Sequence, residues 1–572
     1  MISADLAILQ ILLPLGGVVF AMAAKMVPRT RAESILEWIA AGIGLFLPLG
    51  LLVFLFPQVL RGGVTYAVGN RGSLLGIIQH YDGMSWLLDL MGFSSLGIVW
   101  IYSRGAGPRG GIFTVLFLIQ ASAMASIDAC ADLFNLFISF EVLGIANYAL
   151  VALSGKPKAF FAAFNYLAIS SASLMFFLLG VFGFYRLTGY LSYEGILEGL
   201  NRLPDGGGRI TAFSLVCISA AALVRVALLP LAGWLPDAHG SAPHAVTAVG
   251  CGMLLKPPLF ALGRFLYLLS SAPGPAADIV LPVWKTLGLL GAVTAVGGVI
   301  FALSQSDVKR LLAYHSISQI GYVVSALALA SPLGFAAAFL HAFFHSMFKG
   351  LLFLSVGSAV DAGNNRDVYR YRGAAAVLAA SGDKRGIAVT CFCIGALSIA
   401  AIPPLNGFAS KQAVVHALED SPWQYWALTL VGIGTMASMI KLSRIFWGRP
   451  EEPPGGPDAK TPFRVKFSVK FSLILWAVPC VVFGVFARPL GDFTARLMSG
   501  DENPVPGSLF APGSLLKTGA LLLGAVLLYT ALTRPLGKRI SHWIRDLPKG
   551  FYQLMLGFAL ALFILAAGMF FF

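Results

Sequence analysis

The sequence predicts an all-α polytopic membrane protein, and three observations carry that prediction. Of 572 residues, 58% are hydrophobic and only 12% charged, against roughly 25% charged in an ordinary soluble domain. Mean hydropathy is +0.81. Apolar stretches of about 18 or more residues recur along the whole chain, each long enough to cross a roughly 30 Å hydrocarbon core.

Those stretches place helices near 5–24, 35–56, 84–102, 112–128, 132–154, 160–184, 211–235, 245–268, 279–304, 310–330, 333–358, 386–418, 424–446, 467–488, 513–533 and 551–571, about 14–16 spans in all. The first of them begins MISADLAILQILLPLGG, with no early Lys or Arg, so it reads as a retained span rather than a cleaved signal peptide. An alternating topology gathers about 26 basic residues on one side and about 9 on the other, which assigns the basic side to the cytoplasm and both termini to the outer face. The formal charge of +14 is therefore topological and does not point to nucleic acid.

The largest polar connections, around 57–83, 186–210, 361–385, 447–466 and 489–512, are rich in Gly and Pro and too short for a soluble domain. No cofactor is expected in this chain, and any redox group belongs on another subunit. The six cysteines, at 130, 217, 251, 391, 393 and 480, are scattered among apolar segments. They lack the paired Cys-x-x-Cys spacing of zinc or iron–sulfur ligands and read as packing residues. GIGTMA at 432–437 fits a dinucleotide-binding pattern but lies inside an apolar span with no preceding strand. No phosphate loop, His-Glu-x-x-His or Gly-x-Ser-x-Gly signature is present, so no catalytic residue is assigned.

A weak internal repeat is visible. KPKAFFAAFNYL at 156–167 resembles DVKRLLAYHSIS at 307–318, and LLPLAGWLPDAH at 228–239 resembles IPPLNGFASKQA at 402–413. Proline-interrupted spans in two halves point to a transporter built from structural repeats.

An ionisable residue at mid-span costs roughly 2.5–3.5 kcal/mol to insert, so each one calls for a reason. Glu141, in DLFNLFISFEVLGIANYALV, lies near mid-membrane by helical rise. Arg225 precedes Pro230, whose ring frees a carbonyl that only a hydrated or protein-lined place can satisfy. A site and a structural, paired or snorkelling arginine are both open readings there. Lys256 precedes Pro257 and Pro258, and unlike arginine it can exchange a proton.

His341, His345 and Lys349 recur every four residues and so share one helix face, the pattern of a proton relay. Metal binding is the weaker reading, since no carboxylate or Cys lies on that stripe. His315, among Ser316, Ser318 and Gln319, either extends the relay or hydrogen-bonds neighbouring helices. Lys411 belongs to a segment from Arg385 to Glu419 that as unbroken helix would reach about 50 Å, too long for one crossing. Pro403 and Pro404 supply the break.

Set side by side, DLFNLFISFEVLGIANYALV, PLAGWLPDAHGSAPHAVTAVGCGMLLK, SDVKRLLAYHSISQIGYV, HAFFHSMFKGLLFLSVGS and AIPPLNGFASK resemble the antiporter-like membrane subunits of respiratory complex I (NADH:quinone oxidoreductase), Mrp cation/proton antiporters and membrane-bound hydrogenases. FNLFISFEVLGIANYALV and LLAYHSISQIGY look most like the D-type member of the Mrp subunits, whereas HAFFHSMFKGLLFL is similar to the hydrogenase and complex I versions. The resemblance implies two inverted five-helix repeats with broken helices at Pro230 and Pro403. It divides the chain into N-terminal helices (1–110), a first repeat (111–270), a second (279–446) and a C-terminal extension (447–572).

It further implies a bacterial or archaeal cell (inner) membrane, other membrane subunits as partners, and protons as cargo with Na⁺ as a candidate co-ion. The family's glutamate of the fifth span matches Glu141, and its lysines of the eighth and twelfth spans match Lys256 and Lys411. His341 and Lys349 fall within its polar eleventh span. Arg225 stands where the family usually carries a lysine.

The function expected is proton translocation along this buried line, driven by partner redox chemistry or by cation exchange. At most, the chain would be the proton-pumping subunit of an oxidoreductase or hydrogenase. A stand-alone solute transporter and a structural anchor that has lost translocation are the other two readings.

Overall fold

A computed structural model describes residues 2–27, 31–68, 77–271, 274–449, 463–498, 500, 502–547 and 551–571. Among them, 14 helices are long and apolar enough to cross a membrane. Two further segments complete the expected pattern: the more polar helix Val308–Leu327, and the broken pair Ile387–Ile399 and Asn406–Ala417.

Four of the five polar connections carry secondary structure among the described residues, and residues 450–462 of the other lie outside them. Within 57–83, strand Val64–Val68 pairs antiparallel with Ile77–Tyr81. Short helices Tyr193–Asn201 and Ala374–Ala380 occupy the next two, and Ala487–Leu497 runs into the last. The basic helix Pro535–Asp546 links the final two spans, with Leu536, Ile540 and Trp543 left exposed on it.

Burial sorts the spans into centre and rim. The segments His244–Ser271 and Pro332–Gly363 are almost wholly enclosed by protein, whereas Pro512–Thr533 is mostly bare. The enclosed pair carries Lys256, His341, His345 and Lys349, so the costliest side chains sit furthest from lipid.

Two structural repeats are written into the backbone. Asp132 caps helix Leu133–Ala152 by accepting from the amides of Phe134 (2.9 Å) and Asn135 (2.8 Å). Asp307 caps Val308–Leu327 through Lys309 (2.8 Å) and Arg310 (3.1 Å). Each capping aspartate also forms an isolated antiparallel bridge, Asp132 with Ser192 and Asp307 with Asp367. Five spans lie between the two caps. An odd number of crossings places the caps on opposite membrane faces, so the repeats are inverted.

The breaks correspond equally well. Ala227 and Ala401 both adopt φ 56°, ahead of Pro230 and Pro404. This is the register of the 228–239 and 402–413 strings. The other pairing, 156–167 with 307–318, is corrected, because Asp307, by its cap and its bridge, is the equivalent of Asp132 rather than of Lys156. Apolar similarity between membrane helices is cheap, whereas a capping aspartate and a break must recur at fixed places.

The C-terminal extension packs on both breaks. Gly557 would bring a Cβ within 2.8 Å of the Pro230 carbonyl, and at Gly484 a Cβ would overlap the Pro404 carbonyl outright. Only glycine lets these backbones approach so closely.

Candidate functional site

A broken span leaves the last carbonyls of its first half without helical partners, and their dipoles favour a cation. In the second repeat, helix Ile387–Ile399 ends at the break, and Lys411 Nζ donates to the Ile399 carbonyl at 2.8 Å. In the first repeat the corresponding end is capped without charge: Trp234 Nε1 donates to the Val224 carbonyl at 2.9 Å.

Lys256 follows the same logic in a third place. Helix His244–Gly252 ends at Gly252 and a new helix begins at Lys256. Lys256 Nζ donates to the carbonyls of Gly252 and, at 3.5 Å, Cys251. Pro257 and Pro258 do not themselves make this break. They occupy the first turn of the new helix, where a missing N–H is harmless. The interruption lies before them, at Met253–Leu255.

The histidine stripe is real, but its members face different partners. His345 Nδ1 lies 2.9 Å from Lys256 Nζ. His341 Nδ1 lies 3.0 Å from Ser410 Oγ, next to Lys411 in sequence, and the two imidazole centroids are 6.3 Å apart. Lys349 instead donates to the Leu312 carbonyl, and His315 Nε2 meets Ser438 Oγ at 2.7 Å. Lys256, His345, His341, Ser410 and Lys411 thus form one line, with Lys349 and His315 to its side. Lys411 Nζ also sits 5.1 Å over the Tyr322 ring. Among the described residues no carboxylate forms an ion pair with Lys256, Lys349 or Lys411.

Glu141 and Arg225 form a separate pair, Arg225 Nη2 to Glu141 Oε2 at 3.6 Å. The arginine side chain is 2% exposed and the glutamate 34%, so Glu141 is part-exposed on the face that also carries Phe134, Ile138, Val142 and Ile145, while its Oε2 is buried towards Arg225. Between Arg225 and the Lys256 break lies a void of about 10 Å³, lined among others by Asn147, Tyr166, Trp234 and His239. Tyr166 stacks on Trp234 at 3.7 Å, which walls this void.

Two buried lysines escaped the sequence reading because they lie at span ends and resemble topological charges. Lys309 Nζ donates to the Ala242 carbonyl at 2.5 Å, at the end of helix Trp234–Ser241. Lys441 donates to the carbonyls of Leu303 (2.8 Å) and Gln305 (2.5 Å), at the end of Pro275–Ser304. Lys309 faces a cavity of about 470 Å³ shared with Lys156, Lys158, His244, Asp361 and Arg366. No spacing in the sequence pairs these lysines with the helix ends they cap.

The chain matches the family described as NADH:quinone oxidoreductase/Mrp antiporter, transmembrane, over residues 130–440. It is 32% identical to the N subunit of the NADH-quinone oxidoreductase of Desulforudis audaxviator, over 87% of this chain and 97% of that protein. It is 27% identical to the D subunit of the Na(+)/H(+) antiporter of Alkalihalophilus pseudofirmus, over 86% and 96%. A chain of the Mrp complex from Dietzia sp. has the same fold, with TM-score 0.75 at 22% identity over 91% of this chain and all of that one. A chain of the archaeal membrane-bound sulfane sulfur reductase also gives TM-score 0.75, at 23% identity. With its capped breaks and central lysine line, this chain belongs to the antiporter-like membrane subunits of the NADH:quinone oxidoreductase/Mrp antiporter family.

Proposed function

We propose that this subunit conducts protons along Lys256, His345, His341, Ser410 and Lys411 within a multi-subunit membrane complex. The observation that carries this reading is the 2.9 Å contact of Lys256 Nζ with His345 Nδ1, deep in the most enclosed part of the fold. Amine and imidazole both gain and lose protons, and a hydroxyl can pass one on. The gap from His345 to His341, whose ring centroids are 6.3 Å apart, is a distance that a single water bridges.

Partners supply the driving energy, whether from redox chemistry or from exchange against Na⁺, and one of them covers the part-exposed Glu141. A carboxylate left against lipid would be costly, and a neighbouring subunit relieves that cost. The relatives that match over nearly their full length are each named as a subunit, of an oxidoreductase and of an antiporter. The basic loops assign the Lys309 cavity to the cytoplasmic side and both termini to the outer side. The void beside Arg225, within the first repeat, has room for a water and none for a solute.

The test is proton flux in proteoliposomes of the whole complex. Lys256→Ala and Lys411→Ala are each expected to abolish it, and unchanged coupled flux in either would overturn the reading. One observation favours the structural anchor instead: Arg225, which cannot deprotonate, holds Glu141. Flux that survives Arg225→Lys and disappears in Glu141→Gln would decide against the anchor. Flux absent from the unsubstituted complex would decide for it.

A further inference from the structure

Asp89, inside span Gly83–Ala106, and Asp128, the last residue of Gly111–Asp128, lie in contact away from the lysine line. Their exposures are 1% and 2%. Tyr81 Oη donates to Asp89 Oδ2 at 3.0 Å. Among the described residues no N–H or O–H reaches Asp89 Oδ1 or either carboxyl oxygen of Asp128. The two carboxyls lie within hydrogen-bonding reach of each other.

Among the described residues, the one positive charge that acts on the pair, Arg264, makes no hydrogen bond to it. Tyr66, Tyr81 and Arg264 are the other titratable groups that interact with the pair, and Asp82 acts on Tyr81. Arg264 is already engaged: its guanidinium donates to Asp82 Oδ1 (2.7 Å), Ser85 Oγ (3.0 Å) and the His80 carbonyl (3.3 Å). Two touching carboxylates in a dry site cannot both stay ionised, and a proton held between them removes one charge and supplies the missing donor. Asp82 and His80, side chains 29% and 36% exposed, adjoin the pair through Ser85, whose hydroxyl lies 2.7 Å from the Asp128 carbonyl, 3.0 Å from Asp82 Oδ1 and 3.3 Å from the His80 carbonyl.

We propose that Asp89 and Asp128 form a proton-binding site, one shared proton bridging the two carboxyls and exchanging with the adjacent membrane face through the mouth at His80 and Asp82. The site is separate from the Lys256–Lys411 line, and its occupancy is readable at equilibrium. Failure of either proposal therefore leaves the other standing.

Infrared spectroscopy of the intact complex tests it. The expected result is a carbonyl stretch of a protonated carboxylic acid that is lost in Asp128→Asn, shifted in Asp89→Asn, and displaced within minutes of transfer to D₂O. A complex carrying ¹³C-labelled aspartate assigns the band to aspartate without any substitution, should a variant fail to assemble. A band absent from the unsubstituted complex, or one that resists D₂O for hours, would overturn the exchangeable proton. A band removed by Na⁺ at constant pH would replace it with a cation site.

Discussion

Lys411 Nζ lies 2.8 Å from the carbonyl oxygen of Ile399, so the lysine that follows the break closes the helix that precedes it. One side chain thereby serves stability and transport, and the two roles separate by substitution. Lys411→Arg keeps a donor and a charge at the helix end but cannot release a proton. It is expected to leave thermal stability in detergent nearly unchanged while abolishing proton flux. Lys411→Ala strands a buried carbonyl and is expected to cost about 1–3 kcal/mol in addition. Paired melting and flux measurements on the two variants check this.

His345 is the imidazole that meets Lys256, at 2.9 Å. His345→Gln preserves a hydrogen-bonding group of similar reach without a group that titrates near neutrality. Proton flux is expected to fall about tenfold or more, the scale of losing a positioned proton carrier, with assembly intact. His315→Gln, off the main line at Ser438, is expected to have the smaller effect, and flux assays on both variants rank them.

Gly484 packs its backbone on the Pro404 carbonyl. A methyl there meets backbone rather than a movable side chain, so Gly484→Ala is expected to displace the break and cost about 1–3 kcal/mol, as overpacking does. The same substitution at Gly432, where a Cβ meets nothing within 4 Å, is expected to be neutral. Comparative thermal unfolding of the two variants reads the difference.

Cys130 lies in the connection between two spans, its thiol donating to the Asp132 carbonyl at 3.0 Å. Burial pushes that thiol up to about 12. The folded state therefore binds the proton more tightly than the unfolded chain. This preference is fully present below the ordinary thiol value and is lost as pH rises toward about 12. Cys130 is expected to resist maleimide at about pH 8 in the native complex and to react once the chain is unfolded, as mass spectrometry of labelled peptides would show.

The buried charge at Asp89 illustrates how far a sequence can be read. Asp89 is not among the residues singled out from the sequence, although it lies inside an apolar span as Glu141 does. Asp128 sits at a span end and looks solvated. Only the pairing makes either of them informative, and that pairing joins two different helices.

Residue order alone establishes that the chain crosses the membrane many times, which residues are ionisable at mid-depth, where Pro230 and Pro404 interrupt helices, and the family to which it belongs. These follow from local rules: apolar length, the cost of a charge in lipid, and the missing N–H of proline. Which of those residues meet is settled by folding. Packing of the helices sets Lys256 against His345 and His341 against Ser410, and it draws Lys349 and His315 aside to other helices. It also turns Lys309 and Lys441 from loop charges into buried caps. An orphan carbonyl at a helix end is satisfied by whichever donor folding brings near, and that donor can lie anywhere in the chain.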